Sequence, residues 1–221
     1  MKKTGYTNIV QTYIRQHDEK QPILTEQVSA YVAAVTHVDP AVVKRTVNVI
    51  LARLEKQGDI VRITKGMYCK TINTVFGHYT PDADALYCNR FLRDANGHII
   101  GYETGLSGLN RLGFVTQMPA KRCIATNAYD KRIQNHWNIT LRKPPIPVTT
   151  NNHRYLQLLD AIQQLHTAPV DTVNPTRLVC DLVRTLELDT NILIRMARQH
   201  YDYRVLCTTI DIVLGDIHES A

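Results

Sequence analysis

The sequence predicts an α+β fold in two parts: a small N-terminal domain of helices closed by a β-hairpin, then a mixed α/β domain with a helical C-terminal part. Three observations predict it. Between residues 22 and 70 the apolar spacing changes from the period of a helix to the period of two of a strand. Helix punctuation stands at matching places, with Asp39-Pro40 as a start signal and Gly58 as a stop signal. From Asn151 onward the apolar pattern is helical. The expected division is 1–72 and 73–221.

The elements follow in order. Ile9, Tyr13 and Ile14 fall at helical spacing in a first segment that ends near His17-Asp18. In PILTEQVSAYVAA, Thr25 is expected as an N-cap, before an apolar stripe of Val28, Tyr31 and Val32. After the turn THVD, Asp39 caps a third helix and Pro40 takes its first position, where a missing N–H costs nothing. Gly58 suits a left-handed C′ residue. Next, DIVRITKGMYCK predicts a strand, a tight Lys65-Gly66 turn and a returning strand.

The third helix carries the functional reading. At about 100° per residue, Val43, Val47, Ile50, Leu51 and Leu54 gather on a packing face. The opposite face collects Ala41, Lys44, Arg45, Asn48 and Ala52. Alanines permit close approach, and Arg, Lys and Asn are the side chains that read guanine and adenine edges. Helix, turn, helix and hairpin in this order outline a winged helix-turn-helix, whose second helix enters a DNA major groove. Ala41, Lys44, Arg45 and Asn48 are the expected base contacts. Thr25, Arg62 and Lys65 are the expected phosphate contacts, which add salt-sensitive affinity without sequence information. Two alternatives stay open at this point: a merely solvated polar face, and a winged helix used as a protein-interaction adaptor.

In the second part, TINTVFGHYT (71–80) reads as a linker ended by Pro81. DADALYCNRFLR reads as a helix up to the turn Ala95-Asn96-Gly97. Gly101, Thr104 and Gly105 lead into a short helix with Leu106, Leu109 and Leu112, ended by Gly113. CIATN and HWNITLRK are expected strands, followed by the proline-rich break PPIPVT. Helices are then expected around 155–162, after Asn174-Pro175, over 192–198 and over 205–214.

Composition narrows the partners. A hydrophobic share of 44% with 21% charged residues is that of a globular protein. No stretch approaches the roughly 18 apolar residues that span a bilayer, and MKKTGYTNIVQTYIRQ lacks the apolar run of a signal peptide, so no membrane role and a cytoplasmic location are expected. Residues 1–72 carry 11 Lys/Arg against 6 Asp/Glu, residues 73–150 carry 9 against 5, and residues 151–221 carry 6 against 9. The basic excess therefore lies with the reading head and the segment after it, as nucleic-acid binding requires. Lys121, Arg122, Lys131, Arg132, Arg142 and Lys143 form a possible second basic surface for DNA backbone or an acidic partner.

No catalytic role is expected. Asp82-x-Asp84 has the spacing of a magnesium carboxylate pair, but no Gly-Ser phosphate loop precedes it, and Pro81 makes it read as a helix start. GLSGLNRLG lacks the G-x-G-x-x-G order and a convincing preceding strand, so it reads as a closely packed helix. Five scattered cysteines and nine histidines show no ligand spacing; neither a metal nor another cofactor is expected.

KGMYCK, GYETGLSGLNRLGFVTQMP and LRKPPIPVT, in that order, resemble the AbiEi-like antitoxins of type IV toxin–antitoxin systems. The most specific stretch is Leu112-Gly113-Phe114-x-Thr116-Gln117-x-Pro119, with Phe114 where leucine is more usual. The resemblance implies an antitoxin that represses its own operon by binding inverted repeats in double-stranded promoter DNA. It also implies an opposed nucleotidyltransferase-like toxin, without a stable complex being required. A stand-alone winged-helix regulator is the alternative that the residues alone leave open.

Overall fold

The computed structural model describes residues 5–19, 21–74, 77–79, 82–94, 96–131 and 138–219. It is a mixed α+β protein. The chain divides into two compact units, Met1–Arg90 and Phe91–Ala221.

In the first unit, Asp39 fixes where the longest helix begins. Its Oδ1 accepts from Ala41 N at 2.7 Å, and Pro40 follows as the first residue of α3 (Pro40–Gln57). Gly58 ends α3 at φ 83°, a left-handed conformation that favours glycine. Helix α1 (Tyr6–Gln16) contributes Ile9, Val10 and Ile14 to the core, and α2 (Thr25–Thr36) contributes Val28 and Val32. The five expected apolar residues of α3 pack among them. Each such side chain, fully buried, stabilises the fold by about 1.5–3 kcal/mol.

A three-stranded antiparallel sheet closes this core, in the order β1 (Ile23–Leu24), β3 (Met67–Lys70), β2 (Ile60–Thr64). Strand β1 immediately precedes α2. Two residues are too short to show a period; they are extended because Ile23 and Leu24 pair with Tyr68 and Met67. In β2, Ile60 is buried and Val61 exposed, as alternation along a strand requires, and the pairing slips further on, between Arg62 and Thr64. Lys70 closes the far end of α1, its Nζ donating to the carbonyls of Arg15 and His17.

The expected linker is structured. Residues Ile72–Thr74 (β4) pair antiparallel with Gly77–Tyr79 (β5). The two compact units meet in sequence after Arg90, within α4 (Ala83–Leu92). A three-residue strand shows no periodicity, so β4 and β5 are defined by their pairing rather than by a pattern in the sequence.

The second unit is built on the sheet β6 (Gly101–Thr104), β7 (Arg122–Thr126), β8 (Ile139–Arg142). Strands β6 and β7 are antiparallel, β7 and β8 parallel. A strand thus does precede the glycine-rich stretch, correcting the sequence expectation; its four residues are all buried, so no alternation marked it. Helix α5 (Gly105–Leu112) then turns back on the sheet. A Cβ on Gly108 would lie 2.8 Å from the Glu103 carbonyl oxygen, and Gly105 has φ 61° with Cys123 Cβ 3.1 Å from where its own Cβ would be. Close packing is what these glycines permit. On this helix Leu109 is buried and Leu106 is 46% exposed.

Helices α6 (His153–Gln164), α7 (Pro175–Thr185), α8 (Thr190–His200) and α9 (Tyr203–Glu219) complete this unit. Asn174 and Asp189 cap α7 and α8 with their side chains. Leu109, Phe114, Leu156, Leu159, Val179 and Leu193 belong to one buried cluster that joins sheet and helices. The proline-rich break is held in place by Asn127, whose amide exchanges two 2.8 Å hydrogen bonds with the Val148 backbone.

Candidate nucleic-acid interface

A groove of about 540 Å³ lies in the first unit, where the start of α2, the outer face of α3 and the β2–β3 turn converge. Five of the seven expected contact residues line it: Thr25, Lys44, Asn48, Arg62 and Lys65. Sequence separations of up to forty residues are closed here by one backbone bond, Thr25 N to Gly66 O at 2.9 Å. Gly66 takes φ 78°, and that conformation brings the turn against the start of α2.

Thr25 occupies this groove differently from expectation. It is the first helical residue, with Leu24 as N-cap, and its hydroxyl caps nothing. The side chain is 4% exposed, and its Oγ1 is buried without a hydrogen-bond partner. The next backbone N–H groups of α2, at Glu26 and Gln27, have no acceptor within the helix by the geometry of a helix start. An N-terminus of this kind favours an anion. Glu26 contributes a carboxylate to the lining.

On α3, the side chains of Ala41, Lys44, Arg45, Asn48 and Ala52 are all exposed. Lys44, Asn48 and Ala52 face the groove, while Ala41 and Arg45 stand on the exposed surface outside its lining. No Asp or Glu occurs from Pro40 to Leu54, so this surface carries only positive charge. The sequence reading missed two of its members. Val42 is 68% exposed and Val49 is 47% exposed. The same angular sorting that selects Arg45 puts both beside it.

At the hairpin, Lys65 and Arg62 are exposed, and Arg62 Nε donates to the Thr64 carbonyl at 3.4 Å. Tyr68, opposite Arg62 in register, also lines the groove. Burial pushes its phenol pKa up, and the positive charge of Arg62 opposes that shift.

The second basic surface is reduced by the structure. Lys121, Lys131, Arg142 and Lys143 are exposed. Arg122 is not available in the expected way, because its guanidinium is ion-paired with the buried Glu103 carboxylate. Arg111 joins the same oxygen at 3.0 Å. A carboxylate buried on β6 needs such partners, and β7 and α5 supply them. Arg132 lies outside the described residues. Asp82 Oδ1 accepts from Asp84 N at 2.9 Å, the geometry of a helix start. Among the described residues no group of three His, Cys, Asp or Glu side chains has metal-holding geometry, and no helix is long and apolar enough to cross a membrane.

The second unit also contains a polar centre that sequence gave no sign of. Asp160 on α6 accepts hydroxyl hydrogen bonds from Thr104 at 2.6 Å, Tyr201 at 2.6 Å and Tyr102 at 3.1 Å. Burial raises its pKa, against the lowering effect of these hydroxyls and of Arg142. The residues come from three separate segments, so no local spacing records them. The Thr116-Gln117 stretch is likewise clamped: Asn110 Nδ2 reaches the carbonyls of Val115, Thr116 and Gln117 at 3.1–3.3 Å, and Asp171 accepts from Thr116 N and Oγ1.

These features define a two-unit α+β protein with a basic groove along the outer face of a long helix in the first unit. The chain belongs to the DUF6088 family, a family of unknown function, which matches residues 36–190. No curated protein matches it.

Proposed function

We propose that this protein is a sequence-specific DNA-binding antitoxin of a type IV toxin–antitoxin system, which represses its own promoter and opposes a nucleotidyltransferase-like toxin. The observation that carries the DNA-binding part is the groove. It gathers Lys44, Asn48, Arg62, Lys65 and the unpartnered Thr25 hydroxyl around the start of α2. The order α1, β1, α2, α3, β2, β3, with β3 between β1 and β2, supports reading the first unit as a winged helix-turn-helix. In that reading α3 enters the major groove, and the β2–β3 turn and the start of α2 meet phosphates.

The antitoxin part rests on the resemblance carried by GYETGLSGLNRLGFVTQMP and LRKPPIPVT. The experiment has two arms. A duplex carrying the protein's own promoter is titrated at fixed salt with wild type and Arg45→Ala; specific binding is expected to fall by about 1–3 kcal/mol in the variant. Wild type showing no preference for the promoter over random duplex sinks the DNA reading. Co-expression with the neighbouring reading frame then tests the antitoxin part, which fails if that frame is harmless without this protein.

A further inference from the structure

Val42 and Val49 lie on the outer surface of α3, exposed by 68% and 47%. Folding does not explain them. β-Branched residues lower helix propensity relative to alanine, and neither of these two belongs to the buried core cluster of the first unit. Their positions are regular. Val42, Arg45 and Val49 follow the i, i+3, i+7 spacing that puts side chains in one stripe along a helix. The stripe is thus a guanidinium between two apolar side chains, on a surface without a carboxylate from Pro40 to Leu54. A partner that suits it presents negative charge together with small apolar groups at the same depth. The major groove does so, through phosphates at its rim and the C5-methyl groups of thymine on its floor.

We infer that Val42 and Val49 read thymine methyl groups on either side of a purine contacted by Arg45; this inference rests on the DNA-binding reading above. The helix rise sets the expected spacing. Seven residues advance roughly 10 Å along α3, and a helix lying in the major groove covers about three base pairs over that length. The preferred site therefore has two thymines about three base pairs apart, with a guanine or adenine between them. Burying one methyl group against a valine is worth about fourfold in affinity.

The test begins by selecting bound sequences from a random duplex library with the full-length protein. The selected site is then synthesised with uracil replacing thymine at single positions, which keeps the pairing and removes only the methyl. Wild type is expected to lose about fourfold in affinity at each of two positions about three base pairs apart. Val42→Ala should reduce the loss at one position and Val49→Ala the loss at the other, since alanine keeps only one methyl for the contact. Both variants put a better helix former on an exposed surface, so they should fold. Equal binding of thymine and uracil sites by wild type, while Arg45→Ala still loses selectivity, overturns the inference and leaves the DNA reading standing. Valine variants that change the oligomeric state and weaken both kinds of site equally also overturn it, because the stripe is then a subunit contact. If selection enriches no sequence, the DNA reading fails and the inference falls with it.

Discussion

Tyr201 Oη donates to Asp160 Oδ1 at 2.6 Å, and this bond ties the C-terminal end of α8 to α6. The other carboxylate oxygen accepts from Thr104 and Tyr102 on β6, so one side chain joins sheet and helices in the second unit. Removing the hydroxyl in Tyr201→Phe should destabilise this unit by about 1–3 kcal/mol, read from the midpoint of urea unfolding. An unchanged midpoint would show that the bond contributes nothing.

The same carboxylate predicts a pH dependence. Burial raises the folded pKa of Asp160 above its ordinary value, so the folded state holds this proton more tightly than the unfolded state. The stability that results is present below the ordinary carboxylate range and is lost as pH rises through the raised folded value. Asp160→Asn cannot titrate there. Measured across that window, wild type should lose stability relative to the variant as pH rises, and parallel curves would refute the assignment.

Gly108 packs against β6 with no room for a side chain. A Cβ would lie 2.8 Å from the Glu103 carbonyl oxygen, which is backbone and has little freedom to move. Gly108→Ala should therefore cost about 1–3 kcal/mol despite the better helix propensity of alanine. Thermal unfolding decides between the two effects, since a raised Tm would mean that propensity wins.

Helix boundaries were legible in the sequence at most of the expected caps, Thr25 being the exception. Asp39-Pro40, Gly58, Gly113 and Asn174-Pro175 all stand at helix ends as expected. Short strands were not, because β1, β4 and β5 have two or three residues and are defined by their pairing. The site was partly legible for the same kind of reason. Lys44, Arg45 and Asn48 follow from one helix's angular order, whereas the Thr25–Gly66 bond depends on segments about forty residues apart. The Arg122–Glu103 ion pair was not legible, because Glu103 becomes a neighbour of Arg122 only through the β6–β7 pairing.

Lys65 at the hairpin turn and Arg45 on α3 should fail in different ways. Lys65→Ala removes a charge expected to meet a phosphate, so binding should weaken about equally on all sequences. The slope of log K against log salt should become shallower by about one. Arg45→Ala should instead narrow the gap between specific and random duplex. Salt titrations of both variants on both duplexes separate the roles; identical behaviour of the two would remove the distinction between base and phosphate contacts.

Thr25 offers a test in which two measurements move in opposite directions. Its Oγ1 is buried beside the groove with no hydrogen-bond partner, a state that costs about 1–3 kcal/mol in the free protein. Valine has nearly the same shape and no polar atom. Thr25→Val should thus raise the stability of the first unit, by about 1 kcal/mol once imperfect packing is allowed for. If the hydroxyl is kept to donate to a DNA phosphate at the start of α2, the same variant should bind duplex DNA more weakly. Urea unfolding and duplex titration on one preparation give both answers. A variant that gains stability and binds DNA as well as wild type would show that the hydroxyl makes no contact with the ligand, and would shift the phosphate contact to Lys65 and Arg62.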